Sequence, residues 1–236
     1  MRETLPKTPA AARETRTARA AQAERTAFTE KAILDAAEQV FARRGLEGTR
    51  VREIAGAAGV NGATLYNYYP SKTALYEAVL DRGVQPLIAL MEGYAAGPRE
   101  LETTRTLVAE VMSQLSRHPH FARLIYLEAM AEGDYVPTLS RKWFRPVVDG
   151  ILRELRGGPV PAEFGQGLHP LVAALFLHLS FGHFAMAPLL REIFDVDPLS
   201  PAGVERQTRF IDALILQLFP QLTNGRGGES EGKGAG

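Results

Sequence analysis

The chain of 236 residues contains no cysteine, which excludes disulfides, thiol nucleophiles and thiolate metal sites. It also lacks any run of about 18 apolar residues, the length that a membrane-spanning helix requires. The first 30 residues hold no apolar segment of the kind found in secretory signals. These features predict a cytoplasmic protein with no membrane partner.

Net charge is also lacking. The 27 basic and 27 acidic residues cancel. Up to Gln85 there are 13 Lys and Arg against 10 Asp and Glu, and from Pro86 onward there are 14 against 17. The first part is therefore mildly basic and the rest mildly acidic. This asymmetry is too weak to indicate a nucleic-acid partner by itself.

The apolar residues follow the period of an α-helix over most of the chain. Ile33, Ala37, Val40 and Phe41 fall on one helical face, and Gly45 is a typical helix stop after them. No segment shows the strict alternation of apolar and polar residues that a solvent-facing strand requires. The pattern therefore predicts an all-α fold with about nine helices.

Glycine and proline mark where the later helices begin and end. Ser71 can cap a helix that Gly83 and Pro86 are expected to kink or break. Further helices are predicted near residues 101–117, 120–132, 137–156, 168–191 and 202–219.

The two ends of the chain have no apolar face. Residues 1–27 are rich in Ala, Arg and Thr, which predicts a disordered or weakly helical basic arm. This arm is either a solvated tail or a contact to DNA. Residues 223–236 are polar and rich in glycine, and they are predicted to be disordered.

Residues 49–72 have the spacing of a helix-turn-helix, two short helices joined by a tight turn. Gly59 permits a positive φ in the turn, and Asn61 can cap the second helix. Val60 and Leu65 are apolar and can hold the second helix at its angle. That helix would present the following residues to a DNA major groove: Gly62, Ala63, Thr64, Asn67 and Tyr68.

This segment and the residues before it resemble the DNA-binding domain of the TetR (tetracycline-repressor) family of transcriptional regulators. The matching residues occur in order and without a gap: Lys31 to Ala37, Phe41, Gly45, Thr49, Val51 to Ala55, Ala58 to Val60, Thr64 to Tyr66, Tyr68, Tyr69, Ser71 and Lys72. The resemblance covers about residues 28–80. It implies a DNA-binding domain there and, over residues 81–222, a helical domain that binds a small molecule and forms a homodimer.

The resemblance also implies roles for single residues. Tyr66 and Lys72 match positions that clamp backbone phosphates, whereas Thr49 and Arg50 match positions that contact phosphates or bases. A cation at a helix start opposes the helix dipole, which favours a phosphate partner for Lys72. The complete set of implied DNA contacts is Thr49, Arg50, Asn61, Gly62, Ala63, Thr64, Tyr66, Asn67, Tyr68 and Lys72. Tyr68 is equally well explained as a core residue, and its neighbour Tyr69 is expected in the core.

Four positions depart from the family pattern. Asn61 stands where Ser is usual, Gly62 where a basic residue is common, Ala63 where Gly is common and Thr73 where Glu is usual. None of these residues breaks the fold, but Gly62 and Ala63 alter the surface that would face DNA. Gly62 and the zero net charge keep a second hypothesis open, a helical protein-binding adaptor that no longer binds DNA.

The sequence after Pro86 contains many large apolar residues, most of which must form the core. Candidates for an apolar effector pocket are Tyr126, Trp143, Phe144, Phe176 and His178. Two histidine pairs, His118 with His120 and His178 with His183, lack an acidic residue placed to complete a metal site. No metal or other cofactor is expected. Without a phosphate-binding loop or a nucleophile elbow, an enzyme is also not expected.

Two apolar faces near the C-terminal end are candidates for dimer contacts. They consist of Leu171, Leu175, Leu179 and Gly182 on one helix and Phe210, Leu214 and Leu218 on the next. The resemblance implies that these helices pair with their copies in a four-helix interface, in which Gly182 would permit a close approach. Burial within one chain is the alternative. The expected partners are thus palindromic operator DNA, an unknown, largely apolar effector and a second copy of the chain.

Overall fold

The computed structural model describes residues 9–96, 101–131, 135–146, 148–149 and 168–218. All regular secondary structure in these ranges is helical, which confirms the predicted all-α fold. The chain divides into two compact units, residues 1–79 and 80–236, and each is described by itself. The tail predicted over residues 223–236 lies outside the described residues, as do residues 150–156 of one predicted helix.

The first unit is built from three helices and the start of a fourth. Helix α1 spans Pro9–Gly48, α2 spans Val51–Ala57, α3 spans Gly62–Tyr68, and α4 begins at Lys72. Side chains from all four helices are buried in its core: Ile33, Phe41, Ile54, Leu65, Leu75 and Tyr76. The rings of Phe41 and Tyr76 meet edge to face with centroids 5.0 Å apart, a geometry that adds about 0.5–1.5 kcal/mol to the burial of the two rings.

Helix α1 is longer than predicted. It begins at Pro9, so residues 9–27 are helical where a disordered or weakly helical arm was expected. Alanine, the residue with the highest helix propensity, is the commonest residue in this segment. Residues 17–28 are exposed, so the segment extends outside the core. Near the other end Gly45 has the non-helical angles φ 67° and ψ −178°, so the regular helix is interrupted at the residue predicted to stop it, three residues before the end of the α1 span at Gly48.

The second unit contains the rest of α4, which ends at Ala96, and the helices that follow. These are α5 (Leu101–Arg117), α6 (Pro119–Met130), α7 (Val136–Thr138), a π-helix (Leu139–Phe144), α8 (Leu168–Ala185), α9 (Ala187–Phe194) and α10 (Pro201–Leu218). Helix α6 packs against α8, and α5 packs against α10. The core of the unit includes Val108, Met112, Leu115, Phe121, Leu124, Phe181, Phe184 and Ile211.

Helix α4 continues through Gly83 and Pro86, so the helix does not break at either of the two residues expected to kink or break it. Pro86 removes one backbone hydrogen bond from the helix, but Val84 and Leu87 beside it are buried, and their packing holds the chain in helical form. Gly83 has a packing role instead. A Cβ atom at this position would lie 2.5 Å from Cδ2 of Phe121, so glycine allows α6 to pack close to α4.

The helix predicted over residues 168–191 is interrupted at Met186. Helix α8 ends at Ala185 and α9 begins at Ala187, with a bend of 73° between them. Pro188 causes the break, because its ring lacks a backbone N–H and crowds the carbonyl group four residues earlier. Among the described residues no single helix is long and apolar enough to cross a bilayer. The bent pair of α8 and α9 reaches the length and apolar content of a membrane-spanning helix only when its two helices are taken together.

Candidate nucleic-acid interface

The turn between α2 and α3 has the predicted construction. Gly59 adopts φ 68°, and the Val60 amide donates to the Ala55 carbonyl over 3.0 Å. The Asn61 side chain accepts a hydrogen bond of 2.7 Å from the Thr64 amide, which confirms Asn61 as the N-cap of α3. This bond uses the carbonyl oxygen of the exposed asparagine, so its NH₂ group takes no part in the cap.

Helix α3 buries one side chain completely and leaves the others exposed or half-buried. Leu65 is completely buried beneath it. Gly62, Ala63 and Asn67 are exposed, and Thr64 is half-buried. Gly62 has no side chain and Ala63 has only a methyl group, so another molecule can approach the backbone closely at the start of α3. The Tyr66 ring is 51% exposed at the same helix, a large apolar surface to leave in water.

Thr49 and Arg50 precede α2 and differ from each other. Thr49 is buried, and its hydroxyl donates to the Gly45 carbonyl over 2.7 Å. This arrangement differs from the prediction of a DNA contact at Thr49, because the hydroxyl stabilises the turn after α1. The Arg50 side chain is exposed. Glu53 fixes the start of α2, with a carboxylate oxygen 3.0 Å from Nη1 of Arg44.

The two tyrosines at the end of α3 face α1. Tyr69 is buried, as predicted, and its hydroxyl donates to a carboxylate oxygen of Glu30 over 3.3 Å. Tyr68 is half-buried, and its hydroxyl lies 3.5 Å from the Thr26 carbonyl oxygen. Tyr68 therefore contributes part of its surface to the packing of α3 against α1, and only the remainder is open to a partner.

Lys72 lies at the start of α4, where Ser71 provides the predicted cap by accepting a hydrogen bond of 3.0 Å from the Ala74 amide. The Lys72 ammonium group is 3.4 Å from the Glu47 carbonyl, next to the connection between α1 and α2. Arg52, which was not predicted as a DNA contact, is exposed on α2 two residues after Arg50.

Two family models match the chain. The model described as bacterial regulatory proteins, tetR family, matches residues 33–79. The model described as tetracyclin repressor-like, C-terminal domain, matches residues 101–215. The chain belongs to the TetR family. This confirms the resemblance seen in the sequence of the first domain and extends it to the second unit, where the sequence alone showed no resemblance.

Named relatives agree with the family assignment. RutR, an HTH-type transcriptional regulator of Escherichia coli, is 37% identical over 105 residues, which cover 43% of this chain and 48% of RutR, about half of its length. NicS, an HTH-type transcriptional repressor of Pseudomonas putida, is 32% identical over 118 residues, or 49% of this chain and 53% of NicS. An HTH-type transcriptional regulator of Mycobacterium bovis is 29% identical over 80% of this chain and 88% of its own.

Solved structures show the same fold. A TetR-like transcriptional regulator from Rhodococcus sp. RHA1 has a TM-score of 0.59 at 18% identity and covers 80% of this chain and 94% of its own. A transcriptional regulator from Aquifex aeolicus has a TM-score of 0.53 at 15% identity and covers 79% and 99%. At this identity the likeness concerns the fold alone.

Two of the candidate effector residues of this TetR-family chain are in contact with each other. The Tyr126 hydroxyl is 3.1 Å from Nδ1 of His178, and burial raises the pKa of this tyrosine. Phe144 and Phe176 are half-buried, and the Phe144 ring lies 5.7 Å from the ring of Phe181. The side chain of Trp143 lies outside the described residues.

The candidate dimer residues differ in exposure. Leu171, Leu175 and Phe210 are 65%, 40% and 52% exposed, whereas Leu179 and Leu214 are half-buried. The Leu218 side chain is not among those described. A Cβ atom on Gly182 would lie 3.2 Å from the Tyr126 hydroxyl, so this glycine makes room inside its own chain.

Exposed apolar side chains also occur where none were predicted. They lie on α9 and at its ends: Met186, Leu189, Ile193, Phe194 and Val196. The break at Met186 turns the axis of α9 by 73° from that of α8.

Two of the five histidines have hydrogen-bond partners within the chain. The Nε2 atom of His183 is 2.8 Å from the Pro198 carbonyl oxygen, and His178 is bonded to Tyr126. Within the described ranges no three His, Asp or Glu side chains form a group that could hold a metal ion.

Proposed function

We propose that this chain is a homodimeric transcriptional repressor that binds palindromic operator DNA through α3 and is released by a small-molecule effector. The observation that carries the proposal is the surface of α3. Gly62, Ala63 and Asn67 are exposed above a buried Leu65, on a helix whose N-terminus is fixed by the Asn61 cap. A short helix with a capped N-terminus and small exposed side chains can insert into a major groove.

The residues of the first unit divide into two kinds of contact. Thr64 and Asn67 would read base edges, because an amide side chain can pair with adenine through two hydrogen bonds. Gly62 and Ala63 would let the α3 backbone approach the bases. Phosphate contacts would come from Arg50, Tyr66 and Lys72, which fix the orientation of the helix without reading sequence. Thr49 is left out because its hydroxyl is used within the turn.

The name of NicS supports repression, and the family assignment supports a domain organisation of residues 28–80 for DNA binding and 81–222 for effector binding and dimerisation. A bacterial regulator acts on DNA in the cytoplasm, which is therefore the proposed location. Dimerisation would use the exposed side chains Leu171, Leu175 and Phe210. In a symmetric dimer each of these residues contributes twice.

The effector would bind in the second unit among aromatic side chains, with Tyr126 and His178 as the polar pair that orients it. Pockets of this kind are mainly apolar with a few placed polar groups. An effector releases DNA only if it binds more tightly to the conformation that does not fit the operator. A thermal-shift screen of apolar carboxylic acids, phenols and amides, repeated on Tyr126→Phe, would identify ligands that use this pair.

The test of DNA binding is an electrophoretic shift with the DNA that flanks the chain's own gene, followed by selection from random-sequence DNA. A repressor of this type should select a palindrome whose half-sites are spaced by about 34 Å or a multiple of it. Absence of any selected sequence at moderate salt would favour the protein-binding adaptor instead.

A further inference from the structure

We propose that the N-terminal part of α1, residues 9–28, is a second DNA-contacting surface, with the exposed residues Arg19 and Gln22 at its centre. This segment is called the arm below. It would contact phosphates of the DNA that flanks the sequence read by α3. The inference rests on the proposed DNA binding by α3 and adds a contact outside the helix-turn-helix.

The position of the arm is the first observation. The hydroxyl of Tyr68, the last residue of α3, lies 3.5 Å from the Thr26 carbonyl oxygen, and that of Tyr69 bonds to Glu30. The arm therefore leaves the core beside the C-terminal end of α3. Residues 9–25 extend beyond this contact by about 25 Å at 1.5 Å per residue, roughly the length of seven base pairs.

The face that the arm presents is the second observation. Ile33 and Ala37 lie on the core-facing side of α1 and are completely buried. The same side of the helix, followed backwards in steps of three and four residues, passes through Thr26, Gln22 and Arg19. All three residues are exposed. The face thus changes from apolar to hydrogen-bonding just where the core ends, which suits a polar partner and does not suit burial.

The distribution of charge is the third observation. The arm carries four arginines, at positions 13, 16, 19 and 25, and two glutamates, at positions 14 and 24. Each glutamate is five residues from Arg19, so both occupy helical positions about 140° away from it around the helix. Within the arm, the side of α1 that continues the core-facing side towards the N-terminus is therefore free of acidic positions. Glu30 lies on this side just beyond the arm, where its carboxylate accepts the hydrogen bond from the Tyr69 hydroxyl. A polyanion with regularly spaced phosphates matches this arrangement, and DNA bound at α3 brings one to the adjacent surface.

The experiment measures DNA affinity by fluorescence anisotropy over a range of salt concentrations. It uses the full chain and two duplexes carrying the sequence selected by wild type. One duplex ends at the palindrome and the other has about ten further base pairs on each side. The variants are Arg19→Ala, Arg19→Lys and, as a control, Arg123→Ala, which removes an exposed arginine from α6. Alanine favours helix, so a loss of affinity in Arg19→Ala would not reflect an unfolded arm.

On the long duplex, Arg19→Ala should reduce the magnitude of the log-affinity against log-salt slope by about 0.9 for each phosphate that the arm no longer neutralises, or about 1.8 for a dimer. Arg19→Lys should keep most of the slope, and Arg123→Ala all of it. On the short duplex, Arg19→Ala and wild type should have the same slope.

Equal slopes on the long duplex would overturn the role of the arm while leaving DNA binding by α3 intact. A decrease of the same size on both duplexes would overturn the flanking placement. Failure of the wild-type chain to select any DNA sequence would overturn both this inference and the proposed function.

Discussion

Gly83 of α4 faces the Phe121 ring of α6 so closely that a Cβ atom on the glycine would lie 2.5–2.6 Å from three of the ring carbons. Phe121 is almost completely buried, so its ring has no room to withdraw. Overpacking of this kind typically costs about 1–3 kcal/mol, against a gain of roughly 1 kcal/mol in helix propensity from alanine. Gly83→Ala should therefore destabilise the protein by a net amount of up to about 2 kcal/mol. Urea denaturation measures the difference.

The control for this prediction lies in the same helix. Gly93 is exposed, and a Cβ atom there would meet nothing within 4 Å. Gly93→Ala should raise the free energy of unfolding by about 0.5–1 kcal/mol. Equal stabilisation of both variants would show that Phe121 can move away and that Gly83 is not required for close packing.

These two positions illustrate which parts of the fold a sequence can specify. Gly45, Gly59 and Asn61 could be predicted because a helix stop, a tight turn and an N-cap are local and involve few neighbouring residues. Gly83 and Pro86 looked like a local interruption of α4. Their helical conformation depends on Phe121, which is distant in sequence. It also depends on the burial of neighbouring residues, which the sequence does not give directly.

The candidate site shows the same division. The outward face of α3 followed from helical spacing and from the family resemblance. The burial of Thr49 did not, because a hydroxyl that bonds to the carbonyl four residues earlier has the same sequence signature as one that faces solvent. The bend of 73° at Met186 was not predicted either, because the apolar pattern continues across it.

Lys72→Ala should weaken operator binding about equally for all sequences. Its ammonium group lies at the start of α4, 3.4 Å from the Glu47 carbonyl, and a phosphate contact there carries no base information. Removing this cation should lower the magnitude of the salt slope by about one unit for each subunit. Lys142→Ala, which removes an exposed lysine of the second unit, is the control. An unchanged slope and affinity in Lys72→Ala would remove this residue from the interface.

Asn67→Ala should weaken binding to the wild-type operator by about 1–3 kcal/mol through the loss of one base contact in each half-site. It should have little effect on binding to operators that already carry a substitution at that base pair. The comparison variant is Asn61→Ala. It removes the hydrogen bond to the Thr64 amide and should cost about 1 kcal/mol of stability with no preference among operator sequences. Affinity measured against a set of single-base operator variants separates the two patterns. A uniform decrease for Asn67→Ala would make that residue a backbone contact.

His183 should make stability depend on pH. Burial lowers its pKa, and the hydrogen bond to the Pro198 carbonyl opposes this only in part. The unfolded chain therefore takes up a proton at about pH 6.5 while the folded chain resists protonation until a lower pH. The free energy of unfolding should fall as the pH drops through this window and lose nothing further from His183 below the folded pKa. Urea denaturation at pH 7.5 and 5.5 should show a smaller decrease for His183→Gln than for wild type, and an equal decrease would contradict the prediction.

Phe210→Arg should convert the dimer to a folded monomer that binds a palindromic operator weakly. Phe210 is 52% exposed in a single chain, so arginine fits there without disturbing the core, whereas the half-buried Leu214 could not distinguish an interface from the core. In a symmetric dimer the variant places two cations near the shared apolar surface, each costing several kcal/mol if it is fully desolvated. Analytical ultracentrifugation gives the oligomeric state, and circular dichroism checks that the variant is folded.

Ile193→Arg on α9 is the matched control, because Ile193 is 58% exposed but lies outside the two proposed dimer helices. If Ile193→Arg separates the subunits and Phe210→Arg does not, the interface lies on α9. If wild type is monomeric at micromolar concentration, neither apolar surface forms a stable dimer.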